Sequence, residues 1–332
     1  MKTTAPALSL DDVQAARRRI ASGLRLTPCL ISPAFSELAG MRIWLKRDDL
    51  QRTGSFKERG ARHALLFLTD EERSRGVVAA SAGNHALGLA YHGARLGVRV
   101  TVVMPTGAPA VKVHRCRSLG ADVVLHGESF EAAQAHAREL AATRQAACVH
   151  PFDDLRVIAG QGTMALEILE QAPELDTLVV PVGGGGLLAG VVTVVKALRP
   201  EVRVVAVEPA GAASFRAARL HGGPVTTPVE PTLADGLSVA CVGTTTFALS
   251  GHLVDDVVTV TEDELAAAVR LLARRAGIVA EGAGAAALAA VLSGRVSARN
   301  VVLPIGGRNI DTALHQKVTD ECFVGKETVH IG

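Results

Sequence analysis

Apolar residues recur along the chain in two patterns: short continuous runs, which predict strands, and positions at helical spacing, which predict helices. After a short N-terminal helix, for which Ser9 and Asp12 predict a capping box, the pattern becomes regular between residues 77 and 151. Short runs rich in Val, such as VVAAS and VRVTVVM, alternate there with longer segments that have apolar positions at helical spacing. Strands that alternate with helices in this way predict one open parallel sheet with right-handed crossovers.

A second series of the same kind follows between residues 157 and 307. Its strands TLVVPV, VRVVAVE and VVLPIGG are nearly continuous apolar runs, which is typical of strands covered on both faces. We predict an α/β fold with two open, twisted, mostly parallel sheets flanked by helices. With a boundary near HPFDD, we predict a large cofactor-binding domain (1–75 and 154–332) and a small domain (76–153) that closes over the substrate.

The charge balance excludes several classes of partner. The 332 residues include 35 Lys and Arg against 33 Asp and Glu, which leaves a net charge of +2. So weak a field would not steer nucleic acid or an acidic membrane surface to the protein. We therefore expect a small-molecule partner, with no nucleic acid and no membrane.

The cysteines and the N-terminus predict a cytoplasmic protein. The five cysteines are odd in number and form no C-x-x-C pair, so we interpret them as reduced core thiols. They are Cys29, Cys116, Cys148, Cys241 and Cys322. The first residues lack the apolar core of a signal peptide, and no run of about 20 apolar residues occurs.

Loops that follow strand ends are the places to search for a site, because ligands of open parallel sheets bind there. The loop SAGNHALG precedes a predicted helix whose free N–H groups favour a carboxylate. The plain alternative is a helix cap made by Ser81 or Asn84.

The loop VGGGGLLAG, residues 182–190, is the second candidate. Four successive glycines are costly in a regular element, whereas their N–H groups can converge on a phosphate. The same stretch satisfies G-x-G-x-x-A through Gly184, Gly186 and Ala189, and Glu208 ends the next strand. A nicotinamide cofactor is therefore an open alternative on spacing alone.

Lys57 lies in the stretch QRTGSFKERGA and comes from a different part of the chain. A lysine after Phe56 suits a Schiff base with an aldehyde cofactor, whose ring the aromatic side chain would contact. The alternative is an ordinary solvated charge. Gly236 would let the backbone approach a flat ring or simply form a turn. Glu281 is either a functional carboxylate or an acid that serves the dipole of the following helix.

Seven motifs, taken in order, resemble the threonine dehydratase and serine racemase family of pyridoxal phosphate enzymes, with the tryptophan synthase beta-like fold type II. They are LQRTGSFKERGA, ASAGNHALGLAY, MPTGAPAVKV, VIAGQGT, VPVGGGGLLAG, PTLADGL and VAEGAGAAALAA. The match runs from about residue 25 to residue 312. The resemblance implies pyridoxal 5'-phosphate as the cofactor, an amino acid as the substrate and a homodimer as the assembly.

The resemblance also implies a role for each candidate residue. Lys57 matches the lysine that holds the cofactor and removes the substrate's α-proton, and Phe56 matches the aromatic residue at the cofactor ring. Asn84 matches the residue that bonds the cofactor's phenolic oxygen. Gly236 and Glu281 match a glycine and an acid beside the ring.

Two loops are implied to bind the charged ends of the ligands. The phosphate cradle is matched by Gly183, Gly184, Gly185, Gly186 and Leu187. The site for the substrate carboxylate is matched by Ser81, Ala82, Gly83, Asn84 and His85.

Two departures from the family pattern stand out. Where the family has a serine or cysteine that bonds the pyridine nitrogen, this chain has Gly306, or Ile305 if the register is shifted by one residue, and neither has a hydroxyl. Arg308 in the same loop either substitutes or faces solvent. At the family's divalent-cation site, Glu208 and Ala212 are kept but Ser214 replaces an acid. Tight binding of Mg²⁺ or Ca²⁺ is therefore not expected.

The resemblance implies an ammonia-lyase that converts a small β-hydroxy amino acid to a 2-oxo acid and ammonia. L-Threonine, L-serine or an unusual hydroxy-amino acid would be the substrate. Ala82 stands where serine racemases carry a serine and cannot move a proton, which favours elimination over racemisation. The open alternatives are a β-replacing relative of cysteine synthase, an amino-acid racemase, a nicotinamide-dependent dehydrogenase and a binding protein without turnover.

Overall fold

Two sheets organise the protein, for which a computed structural model describes residues 7–320. In chain order the strands are β1 (Cys29–Ile31), β2 (Arg42–Lys46), β3 (Val77–Ala80), β4 (Val100–Met104), β5 (Asp122–Leu125), β6 (Ala147–Cys148), β7 (Thr177–Pro181), β8 (Arg203–Pro209), β9 (Asp256–Val260) and β10 (Asn300–Pro304). The larger sheet has the order β1-β2-β10-β7-β8-β9, and the smaller sheet has the order β5-β4-β3-β6.

Helices connect and cover the strands. They are α1 (Leu10–Ile20), α2 (Pro33–Ala39), α3 (Lys57–Leu66), α4 (Asp70–Arg75), α5 (Asn84–Leu96), α6 (Ala110–Ser118), α7 (Phe130–Arg144), α8 (Leu155–Gln171), α9 (Gly186–Leu198), α10 (Ser214–His221), α11 (Thr244–Ser250), α12 (Glu262–Ala276), α13 (Gly282–Leu292) and α14 (Thr312–Asp320). The predicted capping box is present, because Ser9 and Asp12 exchange side-chain and backbone hydrogen bonds at the start of α1.

The predicted fold class is confirmed by the pairing of the strands. All pairs of the small sheet are parallel, and so are those of the large sheet except β1 with β2. The strands of the small sheet all fall within residues 76–153. That these residues form a domain which closes over a substrate stays a prediction.

Helix α13 packs in the core on one face of the large sheet. All but one of its residues are buried, and most of them are Ala or Gly, so it is apolar all round, as expected for a central helix. Its Gly284 lies so close to the loop after β10 that a Cβ there would be 2.5 Å from the carbonyl oxygen of Gly307. This close approach brings the N-terminus of α13 to the carboxyl end of β10.

Four buried charges connect α3 to α8 and to the end of β2. Arg59 donates to Asp48 at 2.6 and 2.8 Å and to Glu167 at 2.7 and 2.8 Å. Lys46 donates to the same Glu167 at 2.5 Å. Since Arg59 is two residues from Lys57, this cluster fixes the helix that begins at Lys57.

The interpretation of the cysteines as core thiols is wrong in part. Cys29 and Cys116 are buried, but Cys148 is exposed and Cys241 is partly exposed. Cys148 ends β6, the short edge strand of the small sheet, where no further strand covers it. Cys322 lies outside the described residues. Within residues 7–320, none of the helices is long and apolar enough to cross a membrane.

Candidate active site

Lys57 is the first residue of α3, and the loop after β10 fixes its position. The backbone N–H of Phe56 donates to the carbonyl of Gly306 at 2.9 Å, and Ser55 pairs with Gly307. The half-buried amine of Lys57 donates to the carbonyl of Pro151 at 2.8 Å and lies 5.4 Å from the centre of the Phe56 ring. The lysine therefore lies between an aromatic ring and the connection at residues 150–154.

The environment of Lys57 lowers the pKa of its amine. Burial lowers the pKa of Lys57 to about 8, although the negative charge of Glu281 opposes part of that change. An amine with this pKa is deprotonated far more often at pH 7 to 8 than an ordinary lysine, so it can act as a nucleophile or a base.

The glycine cradle at the start of α9 packs too closely against neighbouring residues for its four glycines to carry side chains. A Cβ on Gly184 would lie 2.2 Å from the ring of Phe152, and one on Gly183 would lie 2.9 Å from the Cα of Leu237. Gly185 has φ of +90°, which favours glycine. Within residues 7–320, the backbone N–H groups of residues 183–187 donate no hydrogen bond to the protein. Free N–H groups at a helix N-terminus bind phosphate well, so the cradle fits such a group.

Glu281 is a buried carboxyl that faces Asn84. One oxygen accepts a hydrogen bond from the Asn84 amide at 2.8 Å, and the other accepts from the backbone N–H of Asn309 at 3.2 Å. Burial, together with the negative charge of Asp235, raises the pKa of Glu281 to about 7. The side chain makes no capping hydrogen bond to α13, although it directly precedes that helix. Its hydrogen bonds are therefore made with Asn84 and Asn309 and not with the first turn of α13.

The SAGNHALG loop does not cap α5 through Asn84. Asn84 is the first helical residue and its side chain turns to Glu281, while the Ser81 hydroxyl accepts the N–H of Gly83 at 3.3 Å. Ala82 and Gly83 are partly exposed, so this part of the loop is open to a ligand. His85 is buried, and burial together with nearby Lys57 lowers the pKa of its imidazole well below the usual value.

The two remaining candidate glycines lie beside residues already described, Gly236 beside Glu281 and Gly306 beside Phe56. A Cβ on Gly236 would lie 3.2 Å from the Cβ of Ala283 and 3.9 Å from a Glu281 oxygen. A Cβ on Gly306 would lie 3.2 Å from the Phe56 ring. Gly306 has no hydroxyl to offer, and the side chain of Arg308 is exposed.

The structure thus brings most of the predicted residues together and separates one candidate. Glu208 is buried beneath α10, where its carboxylate accepts the backbone N–H groups of Phe215 at 2.7 Å and Arg216 at 2.9 Å. Both oxygens are therefore bonded within the protein, and the fully buried side chain is not accessible to a ribose. Burial raises the pKa of Glu208 to about 7. The described residues contain no group of three His, Cys, Asp or Glu side chains arranged to hold a metal, and Ser214 adds no charge near Glu208.

Sequence reasoning missed Asn309, which contacts three parts of the site. Its amide nitrogen donates to the carbonyl of Thr53 at 2.8 Å and to the Asn84 oxygen at 2.6 Å, and its oxygen accepts from Arg115 at 2.8 Å. The available signal was its place in the loop after β10, two residues after the glycine pair.

Comparison with known proteins identifies the cofactor class. The family profile described as "Pyridoxal-phosphate dependent enzyme" matches residues 20–307. The chain belongs to this family. Pyridoxal phosphate is therefore the cofactor, and the nicotinamide alternative is wrong. Of the residues present, Lys57 and the free N–H groups of 183–187 fit an aldehyde and a phosphate.

Individual relatives cover nearly the whole chain. L-Threonine ammonia-lyase of Thermotoga maritima is 43% identical over 318 residues, which are 96% of this chain and 79% of that protein. L-Threonine dehydratase catabolic TdcB of Escherichia coli (strain K12) is 42% identical over 94% of this chain and 96% of its own length. The solved structure of maize serine racemase is similar with a TM-score of 0.90 and 33% identity, and covers 94% of this chain and 97% of that one.

Proposed function

We propose that this protein is an ammonia-lyase that converts L-threonine or L-serine to a 2-oxo acid and ammonia. The observation that carries the proposal is the position of the Lys57 amine, whose pKa is lowered. It lies beside the Phe56 ring and beside the connection at residues 150–154, which packs against the glycine cradle. The names of two relatives that are 42 and 43% identical support the same reaction.

The proposed mechanism gives each residue a separate task. When bound, pyridoxal phosphate withdraws electrons from the substrate's α-carbon, which makes the α-proton removable and allows the β-hydroxyl to leave. Lys57 would hold the cofactor through its amine, and the same amine would act as the base that takes the α-proton. The N–H groups of residues 183–187 hold the phosphate, and the loop from Ser81 to His85 holds the substrate carboxylate.

Asn84 and Glu281 are proposed to set the charge around the cofactor ring. The amide of Asn84 donates one N–H to Glu281 and has a second N–H for an oxygen of the cofactor. Gly306 leaves the pyridine nitrogen without a hydroxyl partner at that position. The substrate loses one water when its β-hydroxyl leaves, and one water is consumed when ammonia is released. Each hydroxy-amino acid therefore gives one 2-oxo acid and one ammonia.

Product analysis tests this proposal. The purified protein is incubated with pyridoxal phosphate and either L-threonine or L-serine, and the 2-oxo acid and ammonia are measured. We expect equal amounts of the two products. Bound cofactor without any oxo acid from either substrate would contradict the proposed activity. Consumption of added sulfide together with serine would instead indicate a β-replacing enzyme.

A racemase is the second candidate, because maize serine racemase is a near structural relative. Ala82 has only a methyl group, so it provides no acid on its side of the ligand. We predict that Ala82→Ser raises the rate of substrate racemisation about tenfold or more, because it adds a hydroxyl that can carry a proton. Chiral chromatography of recovered serine measures this rate.

The control for this variant is Ala82→Gly, which changes the loop without adding a hydroxyl. Racemisation by Ala82→Gly should stay at the wild-type level. If the serine variant also stays there, Ala82 does not control the choice between elimination and racemisation.

The assembly is proposed to be a homodimer in the cytoplasm. Apolar side chains are exposed on the segment that runs through β1 and α2, with 69% of Leu26, 63% of Leu30 and 50% of Leu38 accessible in the single chain. A second copy would cover them. Light scattering should give twice the mass of one chain, and a mass of one chain would contradict the dimer.

The cysteines Cys29, Cys116, Cys148 and Cys241 are free, which agrees with a reducing compartment, and cell fractionation tests that location.

A further inference from the structure

A single line of hydrogen bonds runs from the surface of α6 to the proposed cofactor site. Arg115 donates to the Asn309 oxygen at 2.8 Å, Asn309 donates to the Asn84 oxygen at 2.6 Å, and Asn84 donates to Glu281 at 2.8 Å. Each amide accepts with its oxygen and donates with its nitrogen, so the line has one direction. It starts at a guanidinium, which only donates, and ends at a carboxyl, which only accepts when it is ionised.

The direction of this line decides which atom Asn84 offers to a ligand. Its oxygen is engaged by Asn309, so the side chain presents its remaining N–H. If both amides turned over, Asn84 would present its oxygen instead. An amide oxygen would repel the phenolic oxygen of the cofactor, whereas an N–H would bind it.

We propose that Arg115 is a positioning residue that fixes the amide of Asn84 through Asn309, so that Asn84 offers an N–H to the bound cofactor. This inference rests on the proposed function for the role of Asn84. The carbonyl of Thr53 supports the same orientation by accepting from Asn309 at 2.8 Å, and Arg115 also lies 3.4 Å from that carbonyl. Arg115 thus donates both to the Asn309 oxygen and to the Thr53 carbonyl that orients the Asn309 nitrogen.

The opposite end of the line weakens at low pH. Glu281 is faced by Lys57 of α3, by Asp235 of the loop before α11 and by Lys112 of α6. Burial and Asp235 raise the pKa of Glu281 to about 7. Above that pH the carboxylate only accepts and holds the direction itself, whereas below it the protonated carboxyl can also donate. Arg115 stays a donor throughout, so its loss should matter more below pH 7.

Arg115 lies within the predicted small domain, whereas Asn309 and Thr53 lie in the predicted large domain. Lys112 provides a matched control, because it also lies on α6 and reaches the other predicted domain by an ion pair with Asp235 at 2.9 Å. Within residues 7–320, Lys112 and Asp235 make no hydrogen bond to the line of amides and act on Glu281 only through their charges. At pH 6, below the Glu281 pKa, Glu281 is largely protonated with or without Lys112, so the two variants are compared at that pH. An effect of Arg115 that Lys112 does not share therefore reports the orientation of Asn84 rather than the docking of α6.

The test measures the dissociation constant of pyridoxal phosphate from the cofactor-free protein by absorbance, at about pH 6 and pH 8, on either side of the Glu281 pKa. For Arg115→Met we expect weaker binding by about five- to tenfold at the lower pH and a smaller effect at the higher pH. Arg115→Lys, which keeps a donor, should stay within about twofold of wild type, and so should Lys112→Met. Circular dichroism confirms that each variant is folded.

A double-mutant cycle isolates the proposed path. In an Asn84→Ala background, Arg115→Met should have no further effect, because the amide it orients is gone. Equal losses for Arg115→Met and Lys112→Met, or an undiminished loss without Asn84, would overturn the proposal. The binding assay does not depend on turnover. A protein that binds as expected but releases no oxo acid would therefore contradict the proposed function and leave this inference standing.

Discussion

Replacement of Lys57 by Ala should abolish release of the 2-oxo acid, with a fall in kcat of roughly 10⁴-fold or more. A general base alone contributes about 10² to 10⁴ in rate, and Lys57 is also the residue proposed to hold the cofactor. The measurement is single-turnover and steady-state detection of oxo acid with added pyridoxal phosphate. The variant should still bind the cofactor without a covalent bond, because the cradle of residues 183–187 is unchanged.

Lys317→Ala is the matched control for this variant. Lys317 is an exposed lysine of α14, so its loss should leave the rate within error of wild type. A Lys57→Ala protein that keeps full activity would show that the α-proton is removed by another group. Equal losses in both variants would point to a general effect of removing positive charge.

Glu167→Gln should lower the free energy of unfolding by about 3 to 5 kcal/mol. The buried side chain accepts hydrogen bonds from both Arg59 and Lys46, so neutralising it leaves two buried cations with Asp48 as their remaining acidic partner in the cluster. Breaking a buried ion pair from one side costs this much, because the partner charge stays buried without compensation. Urea unfolding followed by circular dichroism gives the free energy.

Glu170→Gln is a control from the same helix. Glu170 lies one turn further along α8 and pairs with Arg17, but its side chain is 57% exposed. Exposed ion pairs contribute about 0 to 1 kcal/mol, so this variant should stay near wild type. Equal losses in the two variants would mean that the cluster around Arg59 adds no special stability.

The cluster around Arg59 lies only two residues beyond Lys57 on α3, but it is separate from the residues proposed to do the chemistry. At denaturant concentrations where the wild type and Glu167→Gln both stay folded, the variant should still bind pyridoxal phosphate. Its deficit should appear mainly in unfolding, since neither Glu167 nor Arg59 makes a hydrogen bond to Lys57 within residues 7–320. The residues that stabilise the helix and those proposed to do chemistry are thus separate.

The parallel sheets and the glycine cradle could be predicted from the sequence, because their signals are local. Runs of Val mark the strands, and four successive glycines mark the loop between a strand and a helix, where free N–H groups are available for an anion. The antiparallel β1 was not predicted. It is only three residues long, and its pairing of Ile31 with Trp44 depends on a helix between the two strands.

The contacts that tune the site could not be predicted, because they join residues far apart in sequence. Asn84 and Asn309 are separated by 225 positions, and Arg59 and Glu167 by 108. The same limit explains Glu208. Its place at a strand end suggested a ligand, but its carboxylate accepts hydrogen bonds from backbone N–H groups in the first turn of α10. Which long-range partner a polar residue finds depends on the packing of whole elements.

Lys57 as the attachment point of pyridoxal phosphate is the central claim, and chemical trapping tests it most directly. The cofactor-loaded protein is reduced with borohydride, which makes the lysine–cofactor bond permanent, and is then digested and mapped by mass spectrometry. We predict that the added mass lies on Lys57 and that the reduced protein releases no 2-oxo acid from L-threonine. Added mass on Lys46, Lys112 or another lysine, or no added mass on any lysine, would contradict the account.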